Sequence, residues 1–216
     1  MEHKYEFTRE KVIHEKFDYN FKVTLAGKKG AGKTSLIKRI TEDKFSESYA
    51  QTMAGDAYNI FYEVKKDKTS KNLKLAFWDT SGEEQYLSIT KLYFKGAHAV
   101  LIVYDITDKE SLLQLEYWIK GVNDCVSPMT RLYLIGSKND LVEKRKVDIE
   151  EVEDLAAKIN SPLLEVSSKT GDGIEELVNK LIQDLIDNRA WPRTLANLRD
   201  ERRRLSSYST QKKKCC

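Results

Sequence analysis

Between the apolar run Phe21 to Ala26 and a helix-forming stretch that starts at Lys33, the chain reads Gly27-Lys28-Lys29-Gly30-Ala31-Gly32-Lys33-Thr34. This constrains the fold tightly, because the pattern G-x-x-x-x-G-K-[ST] has meaning only where a strand runs into a turn and the turn into a helix. There the glycines let the backbone turn its N–H groups inward around phosphate oxygens. The Lys33 ammonium meets the β- and γ-phosphates, and the helix start adds the positive end of its dipole. Thr34 would offer its hydroxyl to Mg²⁺. Lys28, Lys29, Gly30, Ala31, Gly32, Lys33, Thr34 and Ser35 are the candidate phosphate-contacting residues. The bland alternative, a glycine turn beside a surface lysine, is disfavoured by the flanking strand and helix.

The remainder of the chain agrees with that setting. From Asn20 to about Asp187, apolar β-type runs alternate with segments of helical period, the pattern of an α/β sheet with crossover helices. Strands are expected at 21–26, 58–64, 73–78, 99–106, 131–137 and 163–167, and helices at 33–41, 109–122, 148–159 and 173–187. The fourth strand, AVLIVYDI, is apolar on both faces, as a central parallel strand should be. The polar link KKDKTSKN between the second and third is too short for a crossover, so that pair is a hairpin. A length of 216 residues allows one ordinary domain with a remainder. The expected division is an N-terminal extension at 1–19, a nucleotide-binding domain at 20–188 and a tail at 189–216.

Charge sets the tail apart. Residues 193–216 carry eight Lys or Arg against two acids, so of the 37 bases and 34 acids in the chain the first 192 residues hold 29 and 32. A basic tail on a mildly acidic body suggests an anionic surface as partner. The longest apolar stretch, Ala97 to Tyr104, is far short of the roughly 20 residues that cross a bilayer. The charged first 20 residues lack a signal-peptide core, and Glu2 excludes N-myristoylation, so a cytosolic location is expected. Three cysteines, Cys125, Cys215 and Cys216, make no disulfide framework.

The phosphate loop alone does not choose a base. Gly136-Ser137-Lys138-Asn139-Asp140 closes the fifth strand and Val166-Ser167-Ser168-Lys169 the sixth, both at carboxyl ends, where ligands collect in doubly wound sheets. Asp140 can accept from the ring N–H and the exocyclic amine of guanine, a donor pair that adenine lacks. Lys138 can lie along the ring, and the backbone of Ser168-Lys169 can donate to the guanine carbonyl. In this order after a phosphate loop, the two segments favour guanine.

At these residues the chain resembles the Ras superfamily of small GTPases, and within it the Rab family. FDYNFKVTLAGKKGAGKT looks like the Rab first strand and phosphate loop, and KLAFWDTSGEEQY like the Rab KLQIWDTAGQERF. LYFKGAHAVLIVYDITDKES looks like YYRGAHGIIVVYDVTDQES, and EVSSKTGDGIEELV like ETSAKTGENVEELF. The resemblance implies a P-loop small G domain with a six-stranded, mostly parallel sheet flanked by helices, and a GTP/GDP switch in vesicle traffic. It implies that Phe45 stacks edge-on over guanine and that Tyr49 lies over the phosphates. Thr52 would bind Mg²⁺ and the γ-phosphate, Asp79 a Mg²⁺-bound water, and the Gly82 N–H the γ-phosphate. Losing the γ-phosphate would free Thr52 and Gly82, and both loops would relax.

Three nucleotide-contacting positions depart from the pattern. Glu83 stands where the family has the glutamine that orients the attacking water, and a carboxylate accepts from water but cannot donate to phosphoryl oxygens. Lys29 stands where the family has a small or short polar residue beside the γ-phosphate; it can block an incoming catalytic arginine or supply its own cation. Ser137 replaces the asparagine that bonds guanine N7 and ties its loop to the phosphate loop, a loss of up to roughly tenfold in affinity. With Lys33, Glu83 and Lys29 are the candidate catalytic residues. Two outcomes stand open: a GTPase with slowed or altered turnover, or a GTP-binding pseudo-enzyme that recruits effectors.

Behind Lys212-Lys213-Lys214, Cys215-Cys216 matches the double-cysteine end on which Rab proteins carry two geranylgeranyl groups, and two chains suffice for stable anchoring where one is marginal. The resemblance implies effectors, an exchange factor, an activating protein, a prenyltransferase escort and a GDP-dissociation inhibitor as partners. It also implies attachment to the cytoplasmic face of an endomembrane or the plasma membrane, beside a soluble pool. Nucleic acid is not expected, since no stacking aromatics beyond Tyr208 interleave the tail, and a monomer is. Trp78, Phe61 and Tyr93 are an expected effector patch, with simple packing as the alternative; His98 reads as structural and Cys125 as inert.

Overall fold

The computed structural model describes residues 5–10, 17–47, 56–80 and 92–188. In chain order the elements are β1 (Glu6–Glu10), β2 (Tyr19–Ala26), α1 (Lys33–Glu42), β3 (Ala57–Lys66), β4 (Thr69–Trp78), β5 (Ala99–Asp105), α2 (Lys109–Leu113), α3 (Leu115–Asn123), β6 (Arg131–Ser137), a 3₁₀ helix (Asn139–Lys144), α4 (Ile149–Lys158), β7 (Leu163–Val166) and α5 (Ile174–Asp187). They form one sheet in the order β1-β3-β4-β2-β5-β6-β7. The pairs β4–β2, β2–β5, β5–β6 and β6–β7 are parallel, whereas β1–β3 and β3–β4 are antiparallel.

Period-2 alternation in the central strands divides the core. Along β5, Ala99, Leu101 and Val103 face one layer and Val100, Ile102 and Tyr104 the other, all fully buried. The first layer is closed by Leu36, Ile37 and Ile40 of α1 and by Leu177, Leu181, Ile182 and Leu185 of α5. The second is closed by Leu115, Trp118 and Val122 of α3 and Val152 of α4. Each such fully buried aliphatic side chain contributes about 1.5–3 kcal/mol of transfer free energy. Asp108 and Asp148 cap α2 and α4 by accepting from the N–H groups of Glu110 and Glu150, so the crossover helices start where those acids stand.

The expected six strands are present, and a seventh extends the sheet. β1 comes from the N-terminal extension and pairs with β3 in the register Glu6↔Lys65, Thr8↔Glu63 and Glu10↔Phe61. The Arg9 guanidinium donates to the Thr41 carbonyl, Lys66 lies 4.5 Å over the Tyr5 ring, and Phe17 stacks on Phe61 at 5.4 Å. The hairpin is also longer than expected. β3 and β4 run through most of the polar link and leave only Asp67 and Lys68 as the turn, with Asp67 at φ 55. Beyond the edge of the core neither face of these strands is covered, so polar residues occupy both, and apolar alternation ends before the strands do. The single helix expected over 109–122 is instead α2 and α3, separated at Gln114.

His98 is structural, as expected. Its Nδ1 accepts from the Lys22 N–H at 3.0 Å, its own N–H donates to the Lys22 carbonyl at 2.8 Å, and its ring meets Phe21 edge-on. Burial pushes its pKa down to about 4. Cys125 is half-buried against the second core layer and forms no disulfide. Among the described residues no helix is long and apolar enough to cross a membrane.

Candidate nucleotide site

The phosphate loop links the end of β2 to the start of α1, beside β5. Gly27, at φ 134, lies so close to that strand that a Cβ would stand 2.1 Å from the Val103 carbonyl oxygen, so no larger residue fits. Gly30 and Gly32 are left-handed, at φ 81 and 89, the conformation that turns the loop back on itself. Gly32 is the N-cap of α1 and, being a glycine, offers no side chain to cap the helix start, which leaves that end open to an anion. The Lys33 side chain crosses the loop and donates to the carbonyls of Gly27 at 2.8 Å and Lys28 at 3.0 Å. Only 6% exposed, its ammonium is poorly solvated, which pulls its pKa down to about 8 against the opposing attraction of Asp79. An anion in the loop would restore the charge.

Next to it, the Thr34 hydroxyl donates to Asp79 Oδ2 at 2.7 Å. Asp79, at the end of β4, is 1% exposed, and its Oδ1 has no hydrogen-bond partner among the described residues. Burial raises its pKa. A hydroxyl and a carboxylate with one orphaned buried oxygen are hard donors of the kind Mg²⁺ takes, directly or through its retained waters, so these residues fit the ion. Among the described residues no cluster of three or more His, Cys, Asp or Glu side chains offers a competing transition-metal site.

The base-selecting segments converge from β6 and β7. Ser137 Oγ donates to the Ala31 carbonyl at 2.7 Å, so the shorter hydroxyl still ties this loop to the phosphate loop. The Lys138 ammonium pairs with Asp105, which also accepts from the N–H and hydroxyl of Thr107. Ser167 Oγ donates to Asp140 Oδ1 at 2.6 Å and accepts from the Thr170 N–H at 3.1 Å, so the two strand ends are bonded to one another. Phe45, beyond α1, is 37% exposed. Lys28 turns to Asp108 at 2.9 Å, while Lys29 is exposed. Tyr49, Thr52, Gly82, Glu83, Cys215 and Cys216 lie outside the described residues.

Two contributors escape sequence reading. Asp105 fixes Lys138, and its signal is a lone acid ending an otherwise apolar strand. Arg39, whose guanidinium reaches the Ser168 and Lys169 carbonyls, looks like any basic residue on an amphipathic helix. The aromatic residues expected as one patch are distributed differently. Trp78 and Tyr93 lie 6.0 Å apart with the Lys22 ammonium over the indole, while Phe61 is stacked by Phe17, and all four rings are half-buried.

Comparison with known proteins agrees with this geometry. The Ras family matches residues 22–187. Ras-related protein RabC of Dictyostelium discoideum is 32% identical over 198 residues, covering 91% of this chain and 97% of that protein. GTP-binding protein ypt1 of Schizosaccharomyces pombe is 30% identical over 207 residues, covering 94% of this chain and all of that protein. Ras-related protein SEC4 of Saccharomyces cerevisiae is 36% identical over 176 residues, covering 80% of this chain and 79% of that protein. The chain therefore belongs to the Ras family and, within it, to the Rab group of GTP-hydrolysing small GTPases.

Proposed function

We propose that this protein is a guanine-nucleotide switch of vesicle traffic whose grip on nucleotide and rate of hydrolysis both depart from the usual Rab pattern. The observation that carries the reading is the Ser137–Ala31 bond, which joins the base-selecting end of the sheet to the phosphate loop while using the only proton the serine has. An asparagine amide has two protons, enough for the loop and for N7; this serine leaves N7 without a donor. Asp140, fixed by Ser167, accepts from the two donors of guanine, and Lys138, fixed by Asp105, lies along the ring.

Mg²⁺, held by Thr34 and Thr52 and through water by Asp79, would neutralise charge on the phosphoryl oxygens. Lys33 binds the β/γ-phosphates, Gly82 reports the γ-phosphate, Phe45 covers the base and Tyr49 the phosphates. Glu83 can hold the attacking water but cannot bond the phosphoryl oxygens, and its charge opposes an anionic transition state. Turnover is accordingly slow, and the protein dwells in the GTP state until a partner intervenes. Single-turnover phosphate release tests this: Glu83→Gln should be faster, and an unchanged rate would refute it. A second reading, an effector-recruiting module with scarcely any turnover, rests on Glu83 together with the exposed Lys29. Phosphate release that stays negligible with a cell extract would favour it.

The same reading assigns residues 20–188 to the switch and 189–216 to an anchor prenylated on Cys215 and Cys216. Membrane attachment, the escort, the dissociation inhibitor, the exchange and activating factors and the effectors follow from it, and mass spectrometry of the C-terminal peptide tests the anchor.

A further inference from the structure

Arg39 sits two turns into α1, with its side chain 16% exposed, and each of its three guanidinium nitrogens donates to a backbone or carboxylate oxygen. Nε donates to the Ser168 carbonyl at 2.6 Å, Nη2 to the Lys169 carbonyl at 2.8 Å, and Nη1 to Asp43 Oδ1 at 2.9 Å and the Asp43 carbonyl at 3.3 Å. Asp43 is the left-handed C-cap of the same helix, so the fork is braced at its own base. Two successive carbonyls of the turn after β7 are therefore held from one side by one planar group.

Peptide planarity makes this consequential. The C=O of Ser168 and the N–H of Lys169 belong to one trans unit and point in opposite directions, as do the C=O of Lys169 and the N–H of Thr170. The second unit demonstrates the effect: with Lys169 O on the guanidinium, the Thr170 N–H reaches Ser167 Oγ at 3.1 Å, the hydroxyl that also bonds Asp140. In the first unit, with Ser168 O on the guanidinium, the Lys169 N–H faces away from α1 and meets no acceptor among the described residues. Ser168 itself is buried, so the turn cannot pivot freely.

We infer that Arg39 is the positioning residue for recognition of the guanine carbonyl, aiming the 168–169 backbone donors at the base from the helix that begins at the phosphate loop. The inference rests on the guanine reading above. It makes base selection depend on α1: a shift of that helix when the phosphate loop fills would reach the carbonyl-reading turn directly, without passing through the sheet.

The test uses the full chain and competition of a fluorescent GDP by four diphosphates. GDP against ADP tests the guanine reading. GDP against 6-thio-GDP, which keeps the donors facing Asp140 but replaces the carbonyl by a weak acceptor, reads the 168–169 donors. GDP against IDP, which keeps the carbonyl but lacks the exocyclic amine, reads Asp140. The wild type should prefer GDP over 6-thio-GDP by roughly three- to tenfold. In Arg39→Ala that preference should collapse toward one, GDP should bind about tenfold more weakly, and the GDP:IDP ratio should persist. Arg39→Lys, with a point charge in place of the fork, should fall between and serves if the alanine variant does not fold. A wild-type GDP:6-thio-GDP ratio of one, or a ratio unchanged in Arg39→Ala or Arg39→Lys, overturns the inference while leaving the guanine reading intact. Equal binding of GDP and ADP by the wild type overturns both.

Discussion

Ser137 Oγ and the Ala31 carbonyl oxygen lie 2.7 Å apart, and this one bond joins two loops 106 residues apart in sequence. Ser137→Ala should release the phosphate loop from β6 and raise the GDP dissociation rate about three- to tenfold. Ser137→Asn should do the opposite, since an amide can keep the bond and add a donor for N7. Stopped-flow release of a fluorescent GDP measures both, and equal rates for serine and alanine would show that the bond does not hold nucleotide.

Half-buried Thr34 and buried Asp79 form the pair that fits the metal. In the proposed site Asp79 would hold a Mg²⁺-bound water, and losing such a partner typically costs about 10–100-fold in metal affinity. Asp79→Ala should therefore shift the Mg²⁺ concentration that slows GDP release upward by that factor. Chelation, which should accelerate release from the wild type, should change the variant much less. A Mg²⁺ titration of release rates checks it.

His98 predicts a pH dependence of stability. Its folded pKa is pushed from 6.5 down to about 4 because burial, aided by the nearby Lys22 charge, disfavours the cation. The unfolded chain therefore binds the proton first. The histidine's contribution is fully present above pH 6.5 and is lost progressively as pH falls toward 4, at no more than about 1.4 kcal/mol per unit. Urea unfolding between those limits should show a shallower slope for His98→Asn than for the wild type. Identical slopes would remove the histidine from the account.

Phe17 and Phe61 stack with centroids 5.4 Å apart and planes 18° apart. A double-mutant cycle of Phe17→Ala and Phe61→Ala should give a coupling of about 0.5–1.5 kcal/mol in equilibrium unfolding. Additive effects would mean that the N-terminal segment lies over β3 without stabilising it.

These cases also show what the sequence made legible. Glycines that need positive φ, a lysine at a fixed spacing from them and runs such as Ala99 to Asp105 carry their structure in local pattern, so the phosphate loop and the parallel strands could be read directly. β1 could not, because EFTRE gains its place through backbone pairing with β3, which leaves no periodicity in a short charged segment. The contribution of Arg39 depends on the distance between α1 and a turn 129 residues later, which no window reports. Ser137 was legible as a departure costing one lost or longer hydrogen bond; that its hydroxyl keeps the link to the phosphate loop depends on the distance between two loops, which no local pattern reports.

The seventh strand moves the frontier of the sheet. A chain without β1 would end at β3, a ten-residue strand with Ile60 and Val64 on its inner face and a bare row of main-chain donors and acceptors. Such a border invites a stray strand from another molecule. With β1 in place, the outermost strand is five residues long and bears Glu6, Arg9 and Glu10. Preparations lacking the leader should therefore be stickier than the intact protein while leaving the catalytic end untouched.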